Sequence, residues 1–266
     1  MSFGGVMVVG AGVILALMLA SWRVSLRLRR ADIVDVVWGL GFVAVAWVTR
    51  LTSDANEARS TLLVVMTTIW ALRLAGHLAI RMRGTPEDRR YAAMRRHFGD
   101  RFDQVSLVNV FLFQGLLMWV VSLPVQLGQV SDGPEKVGIA GVLGVAVWAV
   151  GMFFETVGDW QLARFKRKPW NEGRVLETGL WRYTRHPNYF GDFCVWWGIF
   201  IVAATSNLGM ASVPGPIIMT VLLMKVSGVP LTEKYLERRP GYAEYVERTN
   251  AFFPGPPAGE PERSWE

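Results

Sequence analysis

The chain has 266 residues, 52% of them hydrophobic and 19% charged, with 28 Lys and Arg against 22 Asp and Glu and a formal net charge of +6. A mean hydropathy of +0.27, with the charges clustered between long apolar runs, excludes a soluble domain built round one core and points to an all-α, polytopic integral membrane protein. The lone Cys194 excludes disulfides, the scattered His77, His97 and His186 give no metal cluster, and the basic excess fits cytoplasmic loops better than a nucleic-acid surface.

Seven spans are predicted, most near the ~20 residues that cross a bilayer. They cover 5–22, 33–50, 61–82, 105–127, 137–162, 189–206 and 213–229. The first has no charged residue before it and no small-residue cleavage site after it, so it reads as a retained span. Arginine and lysine crowd the segments after the first, third, fifth and seventh spans. The other connections hold only Arg59 and Lys136 as cations. The positive-inside rule then puts the N-terminus outside and the C-terminus in the cytoplasm.

Within 83–104, Thr85 as cap, Pro86 at the first helical position and acids in the first turn predict a short surface helix that Gly99 ends. The segment 164–187, with Gly173 and Gly179, reads as a loop over the membrane face. After Val229 a short amphipathic helix and a Pro/Gly-rich tail (254–266) follow. No internal repeat or soluble domain is evident, so 1–266 reads as a single seven-helix membrane domain.

The informative residues are those a membrane helix avoids. Asp35 lies in the second span, Arg73 and His77 in the third, Glu155 and Asp159 in the fifth, Asn188 and Asp192 in the sixth, and Lys225 in the seventh. Three of these sets are four residues apart and share a helix face. Pro187 suits the first turn of the sixth helix. All fall in the cytoplasmic half, which predicts either ion pairs, with Arg73 and Lys225 against Glu155, Asp159 or Asp192, or a cytosol-facing polar cavity rimmed by cations. Such a rim suits an anionic ligand. No P-loop or Gly-rich dinucleotide fingerprint is present.

The motif Thr184-Arg-His-Pro-Asn-Tyr-Phe-Gly-Asp192, with Glu155-Thr-Val-Gly-Asp-Trp-Gln161 upstream and Glu233-Lys-Tyr-Leu and Tyr242-Ala-Glu-Tyr245 downstream, resembles the steroid 5α-reductase-like superfamily, and most of all its bacterial branch of unknown function. The resemblance covers about 30–255. It implies seven helices in a bacterial plasma membrane, NADPH bound on the cytosolic side, and reduction of an activated C=C bond in a lipophilic substrate that enters from the bilayer. It carries cofactor contacts to Asn188, Asp192, Asp159, Glu155 and Lys166, with Tyr235 and Arg248 in the stretch that closes over the nucleotide. The neighbouring Arg164, Arg182, Arg185, His186 and Tyr189 complete the expected cofactor set, and no metal is expected. The proton-donor candidates are Trp70, Arg73, His77 and Tyr91. The Gln-Glu pair that steroid reductases carry in their early spans to polarise the substrate ketone is not found in this sequence. The rival reading comes from Arg185-His-Pro-x-Tyr-x-Gly191 and Tyr242-x-x-Tyr245, which also resemble isoprenylcysteine carboxyl methyltransferases using S-adenosylmethionine.

Overall fold

The computed structural model describes residues 3–53, 57–130 and 137–259, so Lys136 and the end of the Pro/Gly-rich tail lie outside the described residues. Those residues are helical, without strands. Six stretches are long and apolar enough to cross a membrane: Phe3–Leu28, Ile33–Thr52, Ala58–Met82, Arg89–Val121, Ile139–Lys166 and Asn207–Leu236. The expected sixth span is helix Pro187–Ala203, whose 17 residues leave it outside that set. At 1.5 Å per residue it is about 25 Å long, slightly less than a ~30 Å hydrocarbon core.

The chain divides into two compact units. The first comprises Met1–Gly144 and Ile199–Gly215. Its helices are α1 (Phe3–Leu28), α2 (Ile33–Thr52), α3 (Glu57–Met82), the surface helix α4 (Arg89–Phe98), α5 (Phe102–Ser106), α6 (Phe113–Val121) and α7 (Leu123–Val130). A π-helical turn, Leu107–Leu112, joins α5 to α6. The predicted fourth span therefore bends twice. The π turn adds a residue to the ladder, and Pro124, with no N–H to donate, separates α6 from α7 at Ser122. The core of this unit includes Met18, Phe42, Leu63, Trp70, Phe111 and Met118.

The basic segment after α3 departs from expectation in detail. Helix α4 starts at Arg89, and its cap is Asp88, whose carboxylate accepts from the Arg90 N–H at 2.9 Å. The hydroxyl of Thr85 instead bonds the Arg81 and Met82 carbonyls at the end of α3. Glu87 is drawn away from the helix by the Ala31 N–H (2.7 Å) and by Arg95 (2.9 Å), and Asp32 takes the Asp88 N–H (3.0 Å). The turn between α1 and α2 thus outcompetes the predicted cap for the acids. Gly99, at φ +52°, ends the helix as expected, because an L side chain is strained there. Arg59 is no outer-connection cation: it is 3% exposed, and its Nε donates to the Gly128 carbonyl at 2.8 Å.

The second unit comprises Val145–Gly198 and Pro216–Glu266. It holds most of α8 (Ile139–Lys166) and α9 (Pro187–Ala203). Between α9 and the last helices run α10 (Asn207–Met210), which belongs to the first unit, and α11 (Pro214–Val221), followed by a π turn, Leu222–Val226. The unit ends with α12 (Val229–Leu236) and α13 (Tyr242–Arg248). Two helices thus stand where one amphipathic helix was expected, with Gly241 at φ +77° turning the chain between them.

Candidate functional site

In the second unit, α8 and α9 touch backbone to backbone. A Cβ built on Gly191 would lie 2.6 Å from both the Glu155 nitrogen and the Gly151 oxygen, and one on Gly151 would lie 2.5 Å from the Gly191 oxygen. Gly158 continues the seam, with Pro187 Cγ 3.2 Å from its built Cβ. Small residues permit this approach, as in other close helix crossings in membranes. The contact brings the two predicted polar pairs together. Asn188 Nδ2 donates to Asp159 Oδ1 at 3.1 Å, and Asn188 Oδ1 accepts from the Tyr189 N–H at 3.1 Å. Glu155 and Asp159 are buried at 3% and 8% exposure, whereas Asn188 and Asp192 are half-buried and so present the reachable side of the cluster. Lys166, exposed in the last turn of α8, is seven residues beyond Asp159 and lies on the same helix face.

Arg185 and His186 have a different place. The Arg185 guanidinium binds Glu233 Oε1 through Nε (2.8 Å) and Nη2 (2.7 Å), and its Nη1 donates to the Val246 and Thr249 carbonyls. His186, 1% exposed, puts Nε2 3.2 Å from the same Glu233 oxygen and stacks on Tyr189, with ring centroids 5.2 Å apart. Tyr189 in turn shares a 2.9 Å hydrogen bond with Thr232. Main chain completes the clasp: Arg185 N donates to Asn250 O at 2.9 Å, and the Thr184 hydroxyl donates to Phe252 O at 2.8 Å. The motif residues Thr184, Arg185 and His186 therefore fasten α12, α13 and the chain after them to the start of α9.

Tyr245 extends the clasp by donating to the Trp181 carbonyl at 2.5 Å, and Trp181 Nε1 donates to Gly158 O at 3.1 Å. Burial raises the Tyr245 hydroxyl above its ordinary range, and burial with the Glu233 carboxylate pushes Tyr242 up to about 12, so both hydroxyls remain protonated.

Among the other expected cofactor residues, Arg182 is half-buried and Arg164 is exposed over the Trp160 ring. Tyr235 is exposed beneath Arg239, and Arg248 is exposed and pairs with Glu177 at 2.5 Å. Lys225, expected to pair with the buried acids, is exposed and forms no ion pair among the described residues. The π turn that carries it places its side chain outward.

The first unit holds the expected proton donors. Trp70 is fully buried, edge-on to Phe42 at 5.4 Å, which in turn meets Trp38 at 5.3 Å. Arg73 and His77 are half-buried, one turn apart on α3. Tyr91 sits in a hydrogen-bonded group within the first unit. Its hydroxyl donates to Asp35 Oδ1 at 2.8 Å and accepts from Gln114 Nε2 at 3.0 Å, and Arg90 Nη2 holds the second Asp35 oxygen at 3.1 Å. Burial works against the charge of Asp88, but hydrogen bonds from Arg90 outweigh it and hold that carboxyl below its ordinary value, keeping Arg90 anchored. Gln114 was not singled out from sequence, and Glu233 entered only as the first residue of the downstream motif, with no role assigned to it. A lone Gln in an apolar run carries no local signal.

A multi-pass helical membrane protein, with one buried carboxylate–carboxamide cluster at a glycine seam and a second around a tyrosine, is the class these features define. The chain belongs to the family described as protein of unknown function (DUF1295), whose model matches residues 21–249. It is similar to the uncharacterized protein C594.04c of Schizosaccharomyces pombe, at 21% identity over 91% of this chain and 78% of that protein. No solved structure matches.

Proposed function

We propose that the protein is an NADPH-dependent membrane reductase of the steroid 5α-reductase-like superfamily, acting on an activated C=C bond in a lipophilic substrate. On this reading it has seven spans, with Pro187–Ala203 as the sixth, the N-terminus outside, and the polar cluster of the second unit open to the cytosol. The basic segments after α1, α3, α8 and α12 support that orientation.

The observation that carries the reading is the Asn188–Asp159 contact across the glycine seam, flanked by Glu155 and Asp192. The donor set fits a dinucleotide. Carboxylates and a carboxamide suit the ribose hydroxyls and the nicotinamide amide, while Lys166 and Arg182 offer cations for phosphates. Asn188 and Asp192 would make the contacts, with Asp159 and Glu155 behind them as positioning groups. Arg185 and His186 serve the site through the clasp. When bound, NADPH supplies a hydride to the β-carbon of the activated bond.

Of the proton-donor candidates in the first unit we assign Tyr91, on the groups around its own hydroxyl. Asp35 and Gln114 gather round it, from two separate helices, the carboxylate and carboxamide that are absent as neighbours in the sequence. The hydroxyl proton is held by Asp35 Oδ1, so donation to the substrate requires the O–H to turn away from Asp35 while Gln114 holds the oxygen in place. Tyr91→Phe should lower turnover of a lipophilic enone by about 10²–10⁴-fold while leaving NADPH affinity unchanged. Unaltered turnover in that variant would remove Tyr91 from the chemistry.

Cofactor binding is tested with Asn188→Ala and Asp192→Asn, reading apo melting and NADPH affinity together. Loss of a buried polar partner costs on the order of 1–3 kcal/mol, roughly five- to a hundredfold in affinity. Asn188→Ala should weaken NADPH by that factor, with a smaller drop in apo melting from the lost bond to Asp159. Equal affinity in both variants would sink the cofactor assignment. Stabilisation of the wild type by S-adenosylmethionine but not by NADPH would transfer the site to the methyltransferase reading, which shares the Arg-His-Pro-x-Tyr-x-Gly motif.

A further inference from the structure

Three exposed rings in the second unit each lie beneath a cation. Arg164 is 5.5 Å from the Trp160 centroid, Lys168 is 5.7 Å from Trp170, and Arg239 is 5.3 Å from Tyr235. The rings are 56%, 66% and 48% exposed. None of the three cations pairs with a carboxylate among the described residues. Large aromatic rings left this open to water are unfavourable, and uncompensated charge beside them attracts anions.

Their places in the chain agree. Trp160 and Arg164 occupy the final turns of α8, which closes one candidate span, and Lys168 follows that helix by two residues. Tyr235 is the penultimate residue of α12, which closes another, and Arg239 Nη1 donates to the Arg174 carbonyl at 2.8 Å, tying the loop after α8 to the chain after α12. Span ends are the depth at which hydrocarbon gives way to headgroups, where Trp and Tyr set the ring inward and the polar edge outward.

We propose that these three pairs form a binding surface for anionic phospholipid headgroups, with each cation meeting a phosphodiester and each ring seated at the acyl boundary. The surface is distinct from the polar cluster. At 100° per residue, Trp160 and Arg164 point to a different side of α8 from Glu155, Asp159 and Lys166. The location at span ends favours lipid over a soluble polyanion; assigning Arg164 and Tyr235 to lipid takes them out of the expected cofactor set and leaves Glu155, Asp159, Asn188 and Asp192 as the separate polar cluster.

The test uses the full chain in nanodiscs of phosphatidylcholine alone and of phosphatidylcholine mixed with phosphatidylglycerol. The wild type should melt higher in the mixture, lose that gain as NaCl is raised, and retain phosphatidylglycerol by native mass spectrometry after partial delipidation. Each cation should contribute on the order of fivefold in lipid preference. The triple variant Arg164→Gln, Lys168→Gln, Arg239→Gln should show no gain in the mixture over its own melting in phosphatidylcholine. Identical melting of the wild type in both lipids, or a full gain in the triple variant, overturns the proposal.

Should the triple variant fail to fold, the wild type and Trp170→Phe are compared in brominated lipids. Brominated phosphatidylglycerol should quench the Trp170 share of the fluorescence more than brominated phosphatidylcholine does. Equal quenching overturns the proposal.

Discussion

Glu233→Ala is expected to cause the largest loss of stability of any single side-chain truncation in the second unit, about 3 kcal/mol or more. Arg185 is 8% exposed, and its guanidinium binds the Glu233 carboxylate through two nitrogens while His186, 1% exposed, meets the same oxygen. Removing the carboxylate leaves a buried cation facing the neutral Val246 and Thr249 carbonyls in place of a counter-charge. Two measurements check this in detergent: thermal melting, and protease cleavage within α12–α13, which should accelerate as the clasp opens. Glu233→Gln keeps the shape and one acceptor, so its loss should be smaller. The pair Arg185→Met with Glu233→Leu should recover much of the melting temperature, since replacing both charges removes the uncompensated one. Wild-type melting and cleavage in Glu233→Ala would show that the clasp does not hold the C-terminal helices.

The second large effect is expected at the glycine seam. In Gly191→Val the new Cβ would meet the Glu155 nitrogen and Gly151 oxygen at 2.6 Å and Glu155 Cγ at 2.8 Å. Two of those three atoms are backbone, which cannot rotate aside as a side-chain tip would, so α8 and α9 must separate along the seam. The loss should exceed the ~1–3 kcal/mol usual for overpacking. It should appear as aggregated or unfolded material in size-exclusion chromatography and as lost cofactor binding. Gly76→Ala is the matched control, because nothing lies within 4 Å of a Cβ there and exchange of a helical glycine for alanine gains roughly 1 kcal/mol. A Gly191→Val protein that elutes and melts like the control would contradict the backbone contact.

These two expectations separate structure from binding in a way the motif alone does not. Thr184-Arg-His-Pro-Asn-Tyr-Phe-Gly-Asp192 reads as one stretch, yet its parts work differently. Thr184, Arg185 and His186 serve the clasp, Pro187 opens the helix, Gly191 makes the seam, and Asn188 faces Asp159. Variants at Arg185 or His186 should therefore lose cofactor affinity together with stability, whereas Asn188→Ala should lose affinity with only a modest loss of stability, from its bond to Asp159.

Local chemistry made much of this legible from the chain. Runs of apolar residues determine helices in a membrane, because unpaired backbone groups have no water to bond there. Pro187 at a first turn, Gly99 at a helix end, and the i, i+4 pairs of acids and amides follow from backbone sterics and the 3.6-residue period. What local periodicity does not encode is which distant groups meet. Glu233 lies 48 residues from Arg185, Asp35 lies 56 from Tyr91, and Gln114 joins that tyrosine from a third helix. Tertiary packing also moved the cap from Thr85 to Asp88, buried Arg59, turned Lys225 outward and bent the fourth span at Pro124. At Asp88, Arg59, Glu233 and Tyr91 a polar group took the partner that the folded chain brought within reach, because leaving a buried donor or charge unsatisfied costs more than any local preference offers.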